Sequence, residues 1–169
     1  MSRFSRVIVV GSLLAAVVAL GPTAAWAFTA TLSIPSLCAS PIDVVAFSIE
    51  TSNSSSIGSG GGGAGAGKAT IKPLVLTKSV DECTPLLFKA AFTGQHFPAA
   101  TLQVSVQKTT FTIQLTDLIV TDVKHEFAKN GPGGGDNVLA ETVTLDSAAL
   151  SFTSGGTTVQ CSQQTNSCQ

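Results

Sequence analysis

From Phe28 onward the chain is patterned mostly in twos. Phe28, Ala30, Leu32 and Ile34 alternate with Thr29, Thr31 and Ser33, the period of a strand with one buried face, and Pro35 closes the run. Val44 to Thr51 predicts a second strand with Val45, Phe47 and Ile49 on one face. Ala69 to Thr77 predicts a third, which tolerates Pro73 only where its position lacks a ladder partner or sits at a bulge. Leu102, Val104 and Val106 alternate with Thr101, Gln103 and Ser105, and Phe111, Ile113 and Leu115 resume the pattern beyond Lys108-Thr109, so this pair reads as a hairpin. Leu118 to Phe127 forms another long strand, Asn130 to Asp136 a glycine loop, and Val138 to Leu145 and Ala148 to Thr153 complete the set.

One segment breaks the period. Thr84 is a good N-cap, Pro85 suits a first helical position that needs no donor, Lys89 falls toward the carboxyl end, and Gly94 can take a left-handed stop. The helix between them has about nine residues. Leu86, Leu87, Ala90 and Ala91, with Phe88 and Phe92 four apart, make it apolar almost all round, so it is expected to be covered on all sides. About eight strands and one flanking helix predict a mainly β fold, a closed or nearly closed antiparallel β-barrel, because an open sheet of this size leaves unpaired edges.

The amino terminus changes the picture of where the chain works. Arg3 and Arg6, the apolar run Val7 to Leu20 and the small-residue pattern Ala25-Trp26-Ala27 read as a secretory signal peptide over residues 1–27, with cleavage between Ala27 and Phe28. The apolar run is shorter than the ~20 residues a membrane-spanning helix needs. Residues 28–169 then form a single domain with a Gly/Ser-rich loop at 52–67 and a short cysteine-containing tail at 154–169. Seven lysines against ten acids give that part a formal charge of −3, which favours neither nucleic acid nor an anionic membrane surface. The expected location is secreted or periplasmic, with no membrane span after cleavage. Cys38, Cys83, Cys161 and Cys168 all fall in the exported part, where disulfides are the default. Four cysteines allow three pairings and spacing does not choose among them; Cys38 with Cys83 and Cys161 with Cys168 is the preferred one. Zinc would need short Cys-x-x-Cys or His spacings that are absent, and neither a metal nor another cofactor is expected.

The candidate chemistry is thin. Gly62 to Lys68 imitates the start of a phosphate-binding loop, but Ala69 stands where a magnesium-binding hydroxyl belongs and a strand rather than a helix follows. His96 follows a helix end and is expected to satisfy loose carbonyls; His125 is expected to share a strand face with Ile119, Val123 and Phe127. Asp81-Glu82 and the pair Asp117 and Asp122 read as turn and cap residues. No nucleophile, base and acid form a hydrolytic set, so no enzyme is expected.

Thr77, Lys78, Val80 and Asp81 at the end of a strand, a short helix, and Gly94 and His96 before the next strand resemble the tube-forming Hcp family of type VI secretion systems, the haemolysin-coregulated proteins. Ile42, Asp43, Val44 and Phe47 look like that family's second strand; Asp117, Leu118, Val120 and Thr121, then Glu141, Val143, Thr144 and Leu145, look like its late strands. The resemblance runs from about Phe28 to Thr153 and implies a structural protein that self-associates into six-membered rings able to stack into tubes. It makes the chain's chief partner a second copy of itself, with secretion-system components or cargo beyond. It also implies that Ser59 to Lys68 is an extended loop leaning on a neighbouring subunit, with Ser59, Gly60, Gly61, Gly62, Gly63 and Lys68 as interface candidates. Family members normally lack a signal peptide, and in that respect residues 1–27 depart from the pattern. The alternative is a monomeric secreted binding module or effector that kept the barrel and lost the ring, the flexible Gly58 to Gly67 tract disordering its contact surface.

Overall fold

The computed structural model describes residues 28–54, 69–107, 109–128 and 138–169. The expected signal segment 1–27, the interface candidates Ser59, Gly60, Gly61, Gly62, Gly63 and Lys68, and the glycine loop at 130–136 lie outside the described residues.

The alternation at the start of the exported part yields β1 (Phe28–Ser33), whose Ala30 and Leu32 are buried. The next apolar run is not one strand but three pieces, β2 (Ile42–Asp43), β3 (Ala46–Ser48) and β4 (Thr51–Asn53). They differ because each has a different partner: β2 pairs with β1, β3 with β6 (Leu74–Ser79) and β4 with β5 (Ala69–Ile71). A chain that crosses from one edge to another must break its ladder, and it is Val44, not Val45, that turns inward. The third expected strand divides at Lys72-Pro73, where proline's missing donor costs no ladder bond.

Helix α1 (Thr84–Thr93) follows, then β7 (His96–Val106), β8 (Thr109–Ala128) and β9 (Val138–Ser154). The sheet is antiparallel throughout, in the order β11 (Ser167–Cys168), β10 (Thr157–Ser162), β9, β8, β7, β1, β2, with β6 on β9 and β3 on β6. β9 is the branch: Ala140 to Leu145 pair with β6, Ala149 to Ser154 with β10, and β8 runs along its other side. Among the described residues this sheet does not close into a barrel. The chain crosses from the β1 side to the β6 side at Val44, whose N–H donates to Ala30 O (2.9 Å), and Val45, whose N–H donates to Thr77 O (2.8 Å).

The two strands expected on either side of Thr116 are one strand, β8, because two irregularities let it bend without ending. Asp117 takes a left-handed φ of 50°, and the register against β9 shifts between Val120 and Asp122. At Asp117 the register holds, Thr116 opposite Ala149 and Leu118 opposite Ser147, so the backbone turns without an insertion; the shift at Val120/Asp122 inserts one residue, and both change the inward parity. Ile113 and Leu115 point in, then Leu118 and Val120, then Val123. His125 therefore lies in phase with Val123 and Val120, not with Ile119.

The expected tail is also structured. Gly155 (φ 57°) and Gly156 (φ 82°) make a two-residue turn that folds β10 back on β9, and β11 (Ser167–Cys168) pairs with β10 so that Cys161 stands directly opposite Cys168. At the far end of α1, Gly94 sits at φ 62°. A side chain there would meet nothing within 4 Å, so Gly94→Ala carries only the left-handed backbone penalty. That variant is expected to lose about 1 to 2 kcal/mol in urea denaturation.

Candidate functional site

β6 puts Leu74, Leu76 and Lys78 on its inner face, and the neighbouring β9 puts Glu141, Val143 and Leu145 beside them on the same face. Their register pairs Lys78 with Glu141, so a lysine and a glutamate meet inside an apolar core. Lys78 Nζ is 3.6 Å from Glu141 Oε1, and both side chains are fully buried. Such a pair survives burial only with further partners. Lys78 has them: Asp81 Oδ1 lies at 2.9 Å, and the ammonium donates to Thr84 Oγ1 at 3.1 Å. Glu141 has on its other side His125, whose side chain is 35% exposed, Nε2 to Oε2 3.2 Å.

This cluster organises the turn into α1. Asp81 N–H donates to Thr84 Oγ1 (3.1 Å) and Cys83 N–H donates to Asp81 Oδ1 (2.9 Å). Thr84 is thus not the N-cap; it is the first helical residue, with its hydroxyl engaged by Asp81 and Lys78. Cys83 holds the cap position and makes no side-chain capping bond. Its sulfur is bonded instead to Cys38, which ends a tight turn where Leu37 and Cys38 N–H donate to Ile34 O. Both cysteines are buried. Closing a loop of this separation, 45 residues, stabilises by about 4 kcal/mol in the chain-entropy account, against about 2.4 kcal/mol for the separation of 7 between Cys161 and Cys168.

The helix above is covered on one side only, which corrects the expectation drawn from its composition. Thr84, Leu87 and Ala90 are buried, packing toward β8, while Leu86 (42% exposed), Phe88 (55%) and Phe92 (88%) face outward. Ten residues present one stripe to a sheet, and residues three apart occupy it; Phe88 and Phe92 lie on another. Phe88 and Phe92, four apart, share one flank, with the Phe88 ring 6.4 Å from the His125 ring, whereas Leu86, two residues before Phe88, lies on the other flank beside Cys38 and Cys83.

A second apolar surface lies toward the other end of β8. Phe28, Phe47, Phe111 and Phe152 form a row with successive ring centroids 6.2, 6.1 and 5.4 Å apart, and Phe28, Phe152 and the nearby Val159 are exposed.

The two histidines do not come together. His96 is exposed and pairs through Nδ1 with Asp117 Oδ1 at 3.2 Å, rather than with helix-end carbonyls. Asp117 is at the first β8 irregularity and Asp122 at the second. Exposed Lys124 is held above its ordinary pKa by its hydrogen bond to Glu126. Among the described residues no group of three or more His, Cys, Asp or Glu side chains could hold a metal ion.

The sequence profile described as "Type VI secretion system effector, Hcp" matches residues 38–155, more than two thirds of the chain. The chain belongs to the Hcp family. Protein hcp1 of Pseudomonas aeruginosa is 40% identical to it over 85 residues, 49% of this chain and 51% of hcp1, so the chain spans about half the length of that curated relative. A solved type six secretion system protein superposes with a TM-score of 0.72 at 23% identity, over 85% of this chain and all of its own. Hcp1 of Salmonella typhimurium does so with 0.65 at 21%, over 85% and 99%. At these identities the two structures speak for the fold. The match to the Hcp profile covers Lys78, Asp81, Glu141 and the whole of α1, whereas β10 and β11 fall after it.

Proposed function

We propose that this chain is an exported Hcp-type structural subunit, cleaved between Ala27 and Phe28, whose single domain at 28–169 self-associates into six-membered rings able to stack into tubes. The observation that carries this reading is the uncovered helix flank, Phe88 and Phe92, on a chain of the Hcp family. A fully buried phenylalanine is worth about 1.5 to 3 kcal/mol over an exposed one, so two adjacent aromatic rings in water favour contact with something apolar. The Phe28–Phe152 row offers a different apolar surface toward the other end of β8. Two distinct faces make a head-to-tail contact, which closes into a ring when the rotation between subunits allows. Sparse charge, seventeen charged side chains in residues 28–169 with Lys78 and Glu141 buried among them, leaves little repulsion to overcome. The role is structural, not catalytic, and its partners are further copies, secretion-system components or cargo. No helix among the described residues is long and apolar enough to cross a membrane.

Light scattering of the exported protein over a concentration series, with negative-stain imaging, is expected to show a mass six times that of the subunit and annular particles. A single subunit mass up to roughly 100 μM, beyond the range of an interface with two aromatic anchors, would overturn the ring in favour of a monomeric binding module.

A further inference from the structure

The helix that carries the docking face is held to the rest of the chain in three ways. Leu87 and Ala90 pack into the core, Thr84 hangs on Lys78, and the first turn is tied covalently through Cys83 to Cys38. The third tie depends on the compartment. Thiols stay reduced in the compartment where a chain is made, and an exported chain meets oxidants only afterwards. Because the Cys83 side chain makes no capping bond, the dithiol form leaves that helix end with neither a covalent tie nor a side-chain acceptor at the cap position. Beside the bond runs a groove of about 600 Å³ whose lining includes Cys38, Ile42, Asp43, Cys83 and Leu86. Both cysteines therefore line an open cleft, and Leu86, in the first turn of the helix that carries Phe88, shares that wall.

We propose that the Cys38–Cys83 disulfide is a redox gate on assembly. In the dithiol state the first turn of α1 keeps the Lys78, Asp81 and Thr84 bonds but loses its covalent tie, so it shifts more readily and Phe88 is held less firmly in the docking surface. Oxidation fixes the turn against the β1–β2 connection and completes the docking face. The inference rests on the assembly reading and adds its control. It gives a self-associating subunit a reason not to dock before it has left the reducing compartment.

Oxidation proceeds by exchange. One cysteine thiolate attacks a sulfur of a donor disulfide, carried by a thiol oxidoreductase or oxidised glutathione, and displaces the first donor thiolate. The second cysteine thiolate attacks the mixed disulfide and displaces the other. The donor takes up two electrons, and with the two protons the cysteines release it leaves as two thiols.

The second disulfide is the internal control, since Cys161 and Cys168 join neighbouring strands and neither lines the groove. The full chain, produced with its own amino-terminal segment and purified from a bacterial periplasm, is compared with Cys38→Ser/Cys83→Ser and with Cys161→Ser/Cys168→Ser. Light scattering gives the assembly midpoint, and hydrogen exchange compares residues 84–93 with the β7–β8 ladder. The unaltered chain and the Cys161/Cys168 variant are expected to assemble alike. The Cys38/Cys83 variant is expected to need roughly tenfold or more higher concentration, with its helix exchanging faster and its ladder still protected. Equal midpoints for all three proteins would overturn the gate alone. Loss of protection in the ladder as well as the helix would overturn it too, by making the bond a staple of the whole fold. An oxidised chain that is monomeric throughout would bring down the assembly reading, and the gate with it.

Discussion

Lys78→Met is expected to lower the stability of the folded chain by about 3 to 5 kcal/mol, the loss that follows when one member of a buried ion pair is removed. At this chain length that displaces the thermal midpoint by roughly 10 °C. The loss is large because Asp81, Thr84 and Glu141 all converge on one ammonium group. Without it, Glu141 keeps a fully buried carboxylate, neither oxygen of which has a well-formed hydrogen bond, with only His125 at its edge. Glu141→Gln is expected to cost less, about 1 to 3 kcal/mol, since Lys78 retains Asp81 and Thr84. The double variant Lys78→Met/Glu141→Leu is expected to recover most of the loss, because apolar groups of similar size need no solvation and the partly exposed Asp81 can rehydrate. Thermal and urea denaturation of the three variants measure the difference. A cost for Lys78→Met below about 1 kcal/mol, the range of an exposed pair, would mean that the lysine is hydrated and the cluster is not what holds the helix turn.

The same cluster shows what the sequence made legible and what it hid. The alternations of β1, β7 and the start of β8 could be read directly, because each strand there has one buried face and the period is strict. Lys78 and Glu141 could have been found in the same way: each lies two residues in phase from a buried aliphatic, Leu76 and Val143, where an inward charge demands a partner of opposite sign. Gly155-Gly156 was likewise a readable two-residue hairpin turn, and it was the short polar β10 beyond it that made the segment look like a tail. The parity changes in β8 were not legible, since Asp117 is an ordinary exposed residue until its φ is known. Nor was the division of residues 42–53 among three partners, which depends on where β1, β5 and β6 already stand. The helix was foreseen and its exposure was not. Composition said that it was apolar on most sides, and only the position of β8 determined which of those sides the chain itself could cover.

Phe92→Lys is expected to abolish assembly while leaving the subunit folded, and the contrast separates docking from stability. At 88% exposure the Phe92 ring contributes almost nothing to the core. Lysine in the last helical turn lies where the helix dipole favours a cation, so the change in folding stability stays within about 0.5 kcal/mol. In an interface the balance reverses: an aromatic anchor contributes about 2 kcal/mol or more, close to thirtyfold in the dissociation constant, and a lysine in its place must be desolvated without a partner. The loss recurs at every junction of a ring. A head-to-tail contact makes a further demand. If the Phe28–Phe152 row supplies the opposite face, Val159→Lys damages that face and spares the helix, so neither variant assembles alone. Mixed, they retain one intact pair of faces and are expected to form a heterodimer and nothing larger. A symmetric contact through the helix alone would instead let Val159→Lys dimerise by itself. Native mass spectrometry of the two variants, apart and together, distinguishes these geometries, and full-sized rings from Phe92→Lys would remove the helix face from the interface.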